Sequence, residues 1–369
     1  MDKGQQPRAI SEVRAQFSVN YYQLLSSDGK PIGALPSFTS DNDLLINLYT
    51  AMVRTRVFDT KAIALQRTGK MGTYPSSLGQ EAIGAAIGFA MQSEDVLSPY
   101  YRDLSAQIIR GVSLVDTLLL WGGDERGNNY DKAKEDFPCC VPIANQVTHG
   151  AGIATAIKIR NERRAVVTTC GDGATSRGDF AEALNLAGVW QLPLVCVVNN
   201  NQWAISVPLA HQTAAETIAQ KGLAAGISCE QVDGCDVLAM YDAVTRALQK
   251  AYEGKGATII EAISYRLCDH TTADDATRYR SPEAVNQAWK NEPIKRFRNF
   301  LHLQGLWNES KEQILYQQCD DEIETAVKTY LGIEKQPPES MFDYLYKELP
   351  AALREQRQDV INKVKRENS

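Results

Sequence analysis

The chain has 369 residues, of which 44% are hydrophobic and 23% charged, with a formal net charge of −6. That is the composition of a folded chain of one large or two ordinary domains. An acidic balance with no dense Lys/Arg block argues against nucleic acid as the main partner, and no apolar run approaches the roughly 20 residues of a membrane helix. The opening, MDKGQQPRAISEVRAQ, has neither the apolar core of a signal peptide nor the pattern of a transit peptide, so a cytoplasmic protein is expected. Eight cysteines are scattered without a C-x-x-C pair. Cys170 and Cys196 fall inside apolar runs, which predicts reduced thiols acting as small hydrophobes rather than disulfides or a zinc site.

Residues 1–40 read as an extended arm: turn residues and alternating apolar positions with little helix signal, of the kind that wraps a neighbouring subunit. Ser40 or Asp41 then caps a long amphipathic helix carrying Leu44, Leu45, Leu48, Met52 and Val53 on one face. A second helix opens at Gly79-Gln-Glu-Ala, and its Gly84, Ala85 and Gly88 suit close packing. Leu97-Ser-Pro-Tyr-Tyr-Arg-Asp is a strand end followed by an exposed Tyr101-Arg102 pair, a natural phosphate handle unless Arg102 is tied to Asp103. A polar loop fills 122–138, and Ile143-Ala-Asn-Gln leads into another helix.

Ala165–Cys170 is β-branched and apolar, as a strand buried on both faces should be. Gly171-Asp172-Gly173 follows, then an amphipathic helix, a second apolar strand from Leu192 to Val198, and Asn199-Asn200-Asn201. This is a βαβ unit with polar residues at both strand ends, where open α/β sheets bind ligands. The glycines and the helix N-terminus favour an anion, yet Asp172 would repel one, so a cation must lie between them. Carboxylate and amide oxygens are hard donors, suited to Mg²⁺ or Ca²⁺ with phosphates completing the shell. The rival is a dinucleotide fingerprint at Gly150-x-Gly152, which would make the chain an NAD-binding dehydrogenase. It lacks its third glycine, because position 155 is Thr155.

Beyond this unit, Gln212–Ala225 reads as a helix. A strand and turn at 232–238 lead to a helix ending at Glu253, and Ala257–Tyr265 is the last strand. His270 lies just past that strand on the same sheet edge and is well placed for proton transfer. His149 and His302 look structural, His149 sitting before a helix. Thr271–Arg280 is polar and aperiodic, as in a mobile active-site loop. From Pro282 the chain is helical, with Trp289, Ile294, Phe297, Phe300 and Leu301 facing inward, until Pro337-Pro338. A short helical segment closes the chain, so the expected units are 1–40, 41–335 and 336–369.

Gly-Asp-Gly with Asn201 standing 29 positions after Asp172 resembles the signature of thiamin diphosphate enzymes, at the spacing of the two-chain 2-oxo acid dehydrogenases. The stretch His270-x-x-x-Asp274-Asp275-x-x-Arg278-Tyr279-Arg280 resembles their alpha subunits, and the pyruvate dehydrogenase branch is nearest. The likeness implies a thiamin diphosphate-binding α/β fold with a mostly parallel sheet flanked by helices. It implies Mg²⁺ on Asp172, Asn201 and the carbonyl of Trp203. The diphosphate would rest on Tyr101, Arg102, Gly171, Gly173 and Ala174, with Arg266 as a further candidate. The backbone at Ile143 would meet the aminopyrimidine, Gln146 would line the pocket, and His270 would act on intermediates, steer the lipoyl group or touch the phosphate.

Thiamin chemistry also needs a carboxylic acid beside the pyrimidine in a dry pocket. Glu182 and Glu261 read as structural, and no other buried glutamate stands out. The chain therefore reads as half an enzyme, an alpha subunit whose beta subunit supplies the acid in an α2β2 heterotetramer. The expected reaction decarboxylates pyruvate and passes the acetyl group to a lipoyl group of an acyltransferase partner. A branched-chain 2-oxo acid or acetoin dehydrogenase is the alternative within the same chemistry.

Overall fold

The computed structural model describes residues 12–367. The first eleven residues of the expected arm lie outside that range. A six-stranded, all-parallel sheet in the order β1-β7-β8-β4-β3-β2 forms the centre. Its strands are β1 (Tyr21–Tyr22), β2 (Val96–Ser98), β3 (Val166–Gly171), β4 (Leu194–Asn200), β7 (Ser228–Asp233) and β8 (Thr258–Ile263). A separate hairpin, β5 (Trp203–Ala204) with β6 (Val207–Pro208), follows β4. Among the described residues no helix is long and apolar enough to cross a membrane, and all eight cysteines are free thiols.

Both sheet faces are covered, which is why β3 and β4 are apolar without alternation. Val167, Val195 and Val197 face one core with α1 (Asn42–Arg67), α2 (Glu81–Ala90) and α8 (Val237–Tyr252). Val166, Cys170, Leu194, Cys196 and Val198 face the other, with α5 (Asn145–Ile159) and α6 (Gly178–Val189). The short helices α3 (Leu104–Arg110) and α4 (Leu114–Trp121) follow β2, and α7 (Gln220–Ala224) precedes β7. After the sheet come α9 (Pro282–Ala288), α10 (Pro293–Leu303) and α11 (Glu309–Gly332), then α12 (Ser340–Asp343) and α13 (Ala351–Glu367), which buries no residue.

Asp41 caps α1, accepting from the Leu44 amide at 3.0 Å. Leu45, Leu48, Met52 and Val53 are buried as expected, with Leu44 at the margin. Part of the arm behaves differently from the expectation. Tyr21–Tyr22 adds a strand to this chain's own sheet, and the Leu24 and Leu25 amides donate to Asp236 at 2.8 and 2.6 Å. The expected helix over 212–225 shrinks to five residues. Thr213 and Thr217 use their hydroxyls on the Ala215 and Gln220 amides, the local competition that keeps Thr out of helices. Trp289 is 40% exposed rather than inward, and His149 lies inside α5 rather than before it. Its ring packs against Phe137.

Candidate active site

Strand register builds the site. Gly171 is opposite Asn199, and Asn199 opposite Ala262. The residues just past these positions therefore leave the sheet together at its carboxyl edge, and Asp172 and Asn201 become neighbours across one crevice. Asn201 Oδ1 accepts from the Trp203 amide at 3.2 Å, closing a turn that starts the β5–β6 hairpin. That hairpin folds back onto the Gly-Asp-Gly turn. A Cβ on Gly173 would lie 2.6 Å from the Cβ of Ala204, so only glycine permits the approach.

A cavity of about 210 Å³ opens between these elements. Its wall contains Tyr101, Arg102, Ile143, Gln146, Gly171, Asp172, Gly173, Ala174, Asn201, Trp203 and His270. Every site residue expected from the sequence is there except Arg266, which lies directly behind the wall. Tyr100, Ala204 and Ile205 complete it and were not anticipated. Ile205 holds a left-handed φ of 55°, and Ala144, beside Ile143, one of 72°. Such conformations are costly for residues with a Cβ and concentrate at functional sites.

Charge in this cavity is unbalanced in a particular way. Asp172 is 1% exposed and forms no ion pair among the described residues. Its side-chain donor is the amide of Gln212, at 2.8 Å. Burial pushes the Asp172 carboxyl above its ordinary pKa, an effect offset in part by Gln212, nearby amides and Arg266. On the other side stand two arginines that have no carboxylate partner among the described residues. Arg102 is not the exposed handle expected: it is 4% exposed, and it is not bridged to Asp103 either. Its guanidinium donates to the carbonyls of Ser76 (2.5 Å) and His270 (2.6 Å), while Asp103 accepts from the Tyr100 amide and the Thr169 hydroxyl. Arg266 is fully buried and donates to the Ile205 carbonyl and the Tyr279 hydroxyl, both at 2.7 Å. Its Nε has no partner, and burial, with Arg102 nearby, lowers its pKa.

A buried anion without a cation and two buried cations without anions are each expensive. A divalent cation at Asp172 together with an anionic ligand at the arginines would relieve both at once. The donor set fits that assembly. Among the described residues no three His, Cys, Asp or Glu side chains gather to hold a metal, so a cation here would need the ligand's own oxygens. The arrangement fits a metal-bound diphosphate. Gln146, 1% exposed, leaves its Oε1 unpartnered in the same wall, an acceptor waiting for a donor.

His270, expected to be well placed for proton transfer, sits where its charged form is disfavoured. Burial first, then Arg102 and Arg266, lower its pKa to about 4. Arg102 Nη2 lies 3.1 Å from its Nδ1 and Arg266 Nη1 lies 3.4 Å away. Arginine only donates, so Nδ1 is the acceptor and the neutral ring carries its proton on Nε2. Its backbone amide donates to Asp274 at 2.8 Å, and Tyr279 donates to the same carboxylate. The 271–280 loop is thus pinned by its own Asp274 and Tyr279, and by Thr272, which exchanges bonds with the backbone of Tyr74.

The profile of the family described as dehydrogenase E1 component matches residues 49–339. The chain belongs to the dehydrogenase E1 family. It is 38% identical over 352 residues to the pyruvate dehydrogenase E1 component subunit alpha of Staphylococcus epidermidis, across 95% of this chain and 94% of the relative. The protein of the same name from Staphylococcus aureus is 37% identical with the same coverage. As an E1 chain it is a component of a thiamin diphosphate-dependent oxidoreductase, in agreement with the α/β fold and the resemblance read from Gly-Asp-Gly and Asn201.

Several site residues escaped the sequence reading. Tyr279 was legible only as part of a motif, with nothing to say that it links Arg266 to Asp274. Gln80 and Tyr100 bond to each other (2.9 Å) and to Asn199 (2.6 and 2.7 Å) beneath the cavity. Glu81 is a buried glutamate that did not stand out, but its partner is Arg56, at 2.5 Å, away from the cavity. Arg126, in the polar loop, pairs with Asp124 and likewise stays outside the wall.

Proposed function

We propose that this chain is the alpha subunit of the decarboxylating component of a pyruvate dehydrogenase complex, acting in the cytoplasm with a beta subunit as α2β2. Residues 41–335 form the cofactor-binding unit. The observation that carries this reading is the charge imbalance of one cavity, Asp172 lacking a cation and Arg102 and Arg266 lacking anions. The names of the staphylococcal relatives favour pyruvate over a branched-chain acid.

In this reading Asp172, Asn201 and the Trp203 carbonyl would hold Mg²⁺, the phosphates of the cofactor offsetting the rest of its charge. Tyr101, Arg102 and Arg266 hold the remaining diphosphate charge, and Gly171, Gly173 and Ala174 bring backbone close to it. Ile143 and Gln146 border the aminopyrimidine. When bound, thiamin diphosphate supplies the thiazolium carbon that takes up the 2-oxo acid and the electron sink that lets CO₂ leave. His270, neutral with a proton on Nε2, donates a hydrogen bond to developing negative charge without titrating near pH 7. The carboxylic acid that serves the pyrimidine, and the approach of a lipoyl group from the acyltransferase, come from the partner chains.

The test is a binding titration on the chain assembled with its beta subunit. Thiamin diphosphate is expected to bind in Mg²⁺ and to be released by excess chelator, with pyruvate turned over faster than 3-methyl-2-oxobutanoate. Tight binding that survives chelation would overturn the metal bridge. Appreciable turnover by the isolated chain would overturn the half-site. NAD binding in place of thiamin diphosphate would overturn the whole reading.

A further inference from the structure

Gln212 has no counterpart among the residues expected at the site, yet among the described residues it is the one side chain that donates to Asp172. It follows a 3-10 turn, Leu209–His211, and is half-buried. Both hydrogens of its amide are engaged: Nε2 donates to Asp172 Oδ2 at 2.8 Å and to the Val207 carbonyl at 3.1 Å. The backbone of the same segment closes on itself, the Gln212 amide bonding the Leu209 carbonyl and the Leu209 amide the Gln202 carbonyl. One side chain thereby fastens the β5–β6 hairpin to the carboxylate on β3's far end. Its Oε1, however, is buried with no partner. That oxygen lies over the Gly-Asp-Gly turn, 3.8 Å from where a Cβ on Gly173 would be.

The amide is the informative choice of chemistry. A lysine or arginine here would pair with the buried carboxylate, neutralise it and occupy the place of a cation. A carboxylate would repel it. A neutral donor orients Asp172 while leaving its charge available, as groups behind metal ligands do. The leftover acceptor needs a donor that the described residues do not provide, and water held by a small hard cation is of that class.

We propose that Gln212 is a positioning residue of the metal and diphosphate site. Its Nε2 fixes the orientation of Asp172 and latches the hairpin, and its Oε1 receives a hydrogen bond from the hydrated cation. This rests on the reading of the cavity given above.

The test uses the chain assembled with its beta subunit, thiamin diphosphate, and Mn²⁺ in place of Mg²⁺. Free Mn²⁺ is counted by electron paramagnetic resonance, and thermal unfolding of the metal-free protein is followed in parallel. Gln212→Met is expected to raise the Mn²⁺ dissociation constant about 10- to 100-fold. Gln212→Lys restores a contact to Asp172 and with it the fold, yet is expected to lose still more Mn²⁺ affinity. A purely structural role predicts the reverse for lysine, so Mn²⁺ binding by Gln212→Lys within twofold of the unaltered protein would overturn the proposal. If the unaltered protein itself takes up no Mn²⁺ with thiamin diphosphate present, the reading of the cavity fails instead, and the two failures are told apart.

Discussion

Two aspartates at the carboxyl edge of the same sheet differ in how far the fold provides for their charge. Asp172 follows β3 and Asp236 follows β7. Both are buried, and burial pushes the pKa of both upward. Asp236 is fully provided for by its own chain. It accepts from the amides of Leu24, Leu25, Leu238 and Ala239 and lies 3.6 Å from Arg296, which also pairs with Asp233. It caps α8 and docks the arm, and nothing is missing. Asp172, among the described residues, has one amide side chain and no cation. Among the described residues the fold leaves open at the β3–β4 end what it completes at the β7–β8 end, as the proposed cofactor site requires.

The comparison can be broken at either residue. Asp236→Ala should cost about 3–5 kcal/mol of stability, because it leaves the buried amides of Leu24, Leu25, Leu238 and Ala239 without their acceptor and Arg296 with Asp233 as its one remaining carboxylate among the described residues; chemical denaturation of the cofactor-free chain measures it. A loss under about 1 kcal/mol would mean that the pair contributes little. Asp172→Asn should behave oppositely, leaving that denaturation midpoint unchanged or higher while thiamin diphosphate affinity in Mg²⁺ falls more than about 100-fold. Equal destabilisation by both variants would erase the distinction between the two ends.

His270 sharpens the picture on the cation side. His270→Phe should lower kcat of the assembled enzyme by about 100-fold, with a smaller change in cofactor affinity. The pKa of about 4 gives a sign as well. Between that value and the unfolded 6.5 the unfolded chain binds the extra proton. The contribution of His270 to stability is thus complete above pH 6.5 and is lost as pH falls through 4. Melting curves of the His270→Phe chain should be less acid-sensitive over that window. An activity pKa near 6.5 that vanishes in the variant would instead restore the proton-shuttle role.

Asp103 supplies the smallest effect. It lies beside Arg102 but does not pair with it, and burial raises its pKa to about 7. Here the folded chain holds the extra proton between pH 3.8 and 7, so stability is lost as pH rises through that range. Asp103→Asn keeps both acceptor bonds without the charge. It should raise stability at pH 8 by on the order of 1 kcal/mol and leave pH 4 unchanged. Melting temperatures at the two pH values decide it.

Much of the site was legible because its parts are tied by short-range rules. The strands announce themselves as apolar runs, and the distance from Asp172 to Asn201 is one βαβ unit. Parallel pairing of adjacent strands then brings their ends together with no further information. Asp41 before the amphipathic stretch, Tyr101-Arg102 past a strand and His270 past another follow the same logic. Loop behaviour was less legible, since Gln212–Ala225 carries helical composition while its threonines bond locally instead.

The amino-acid order alone therefore determined the class of fold, the pair of strand ends and the chemistry of the donors placed there. Only the tertiary structure decided that Arg102 is buried, that burial and two arginines lower the His270 pKa, and that Gln212 reaches Asp172 from 40 residues away. It also decided that the arm's Leu24 and Leu25 close on Asp236, more than two hundred residues distant. The physical reason is that desolvation and counter-charge belong to the whole surroundings of a group. No spacing along the chain records which charges the folded protein leaves without a partner.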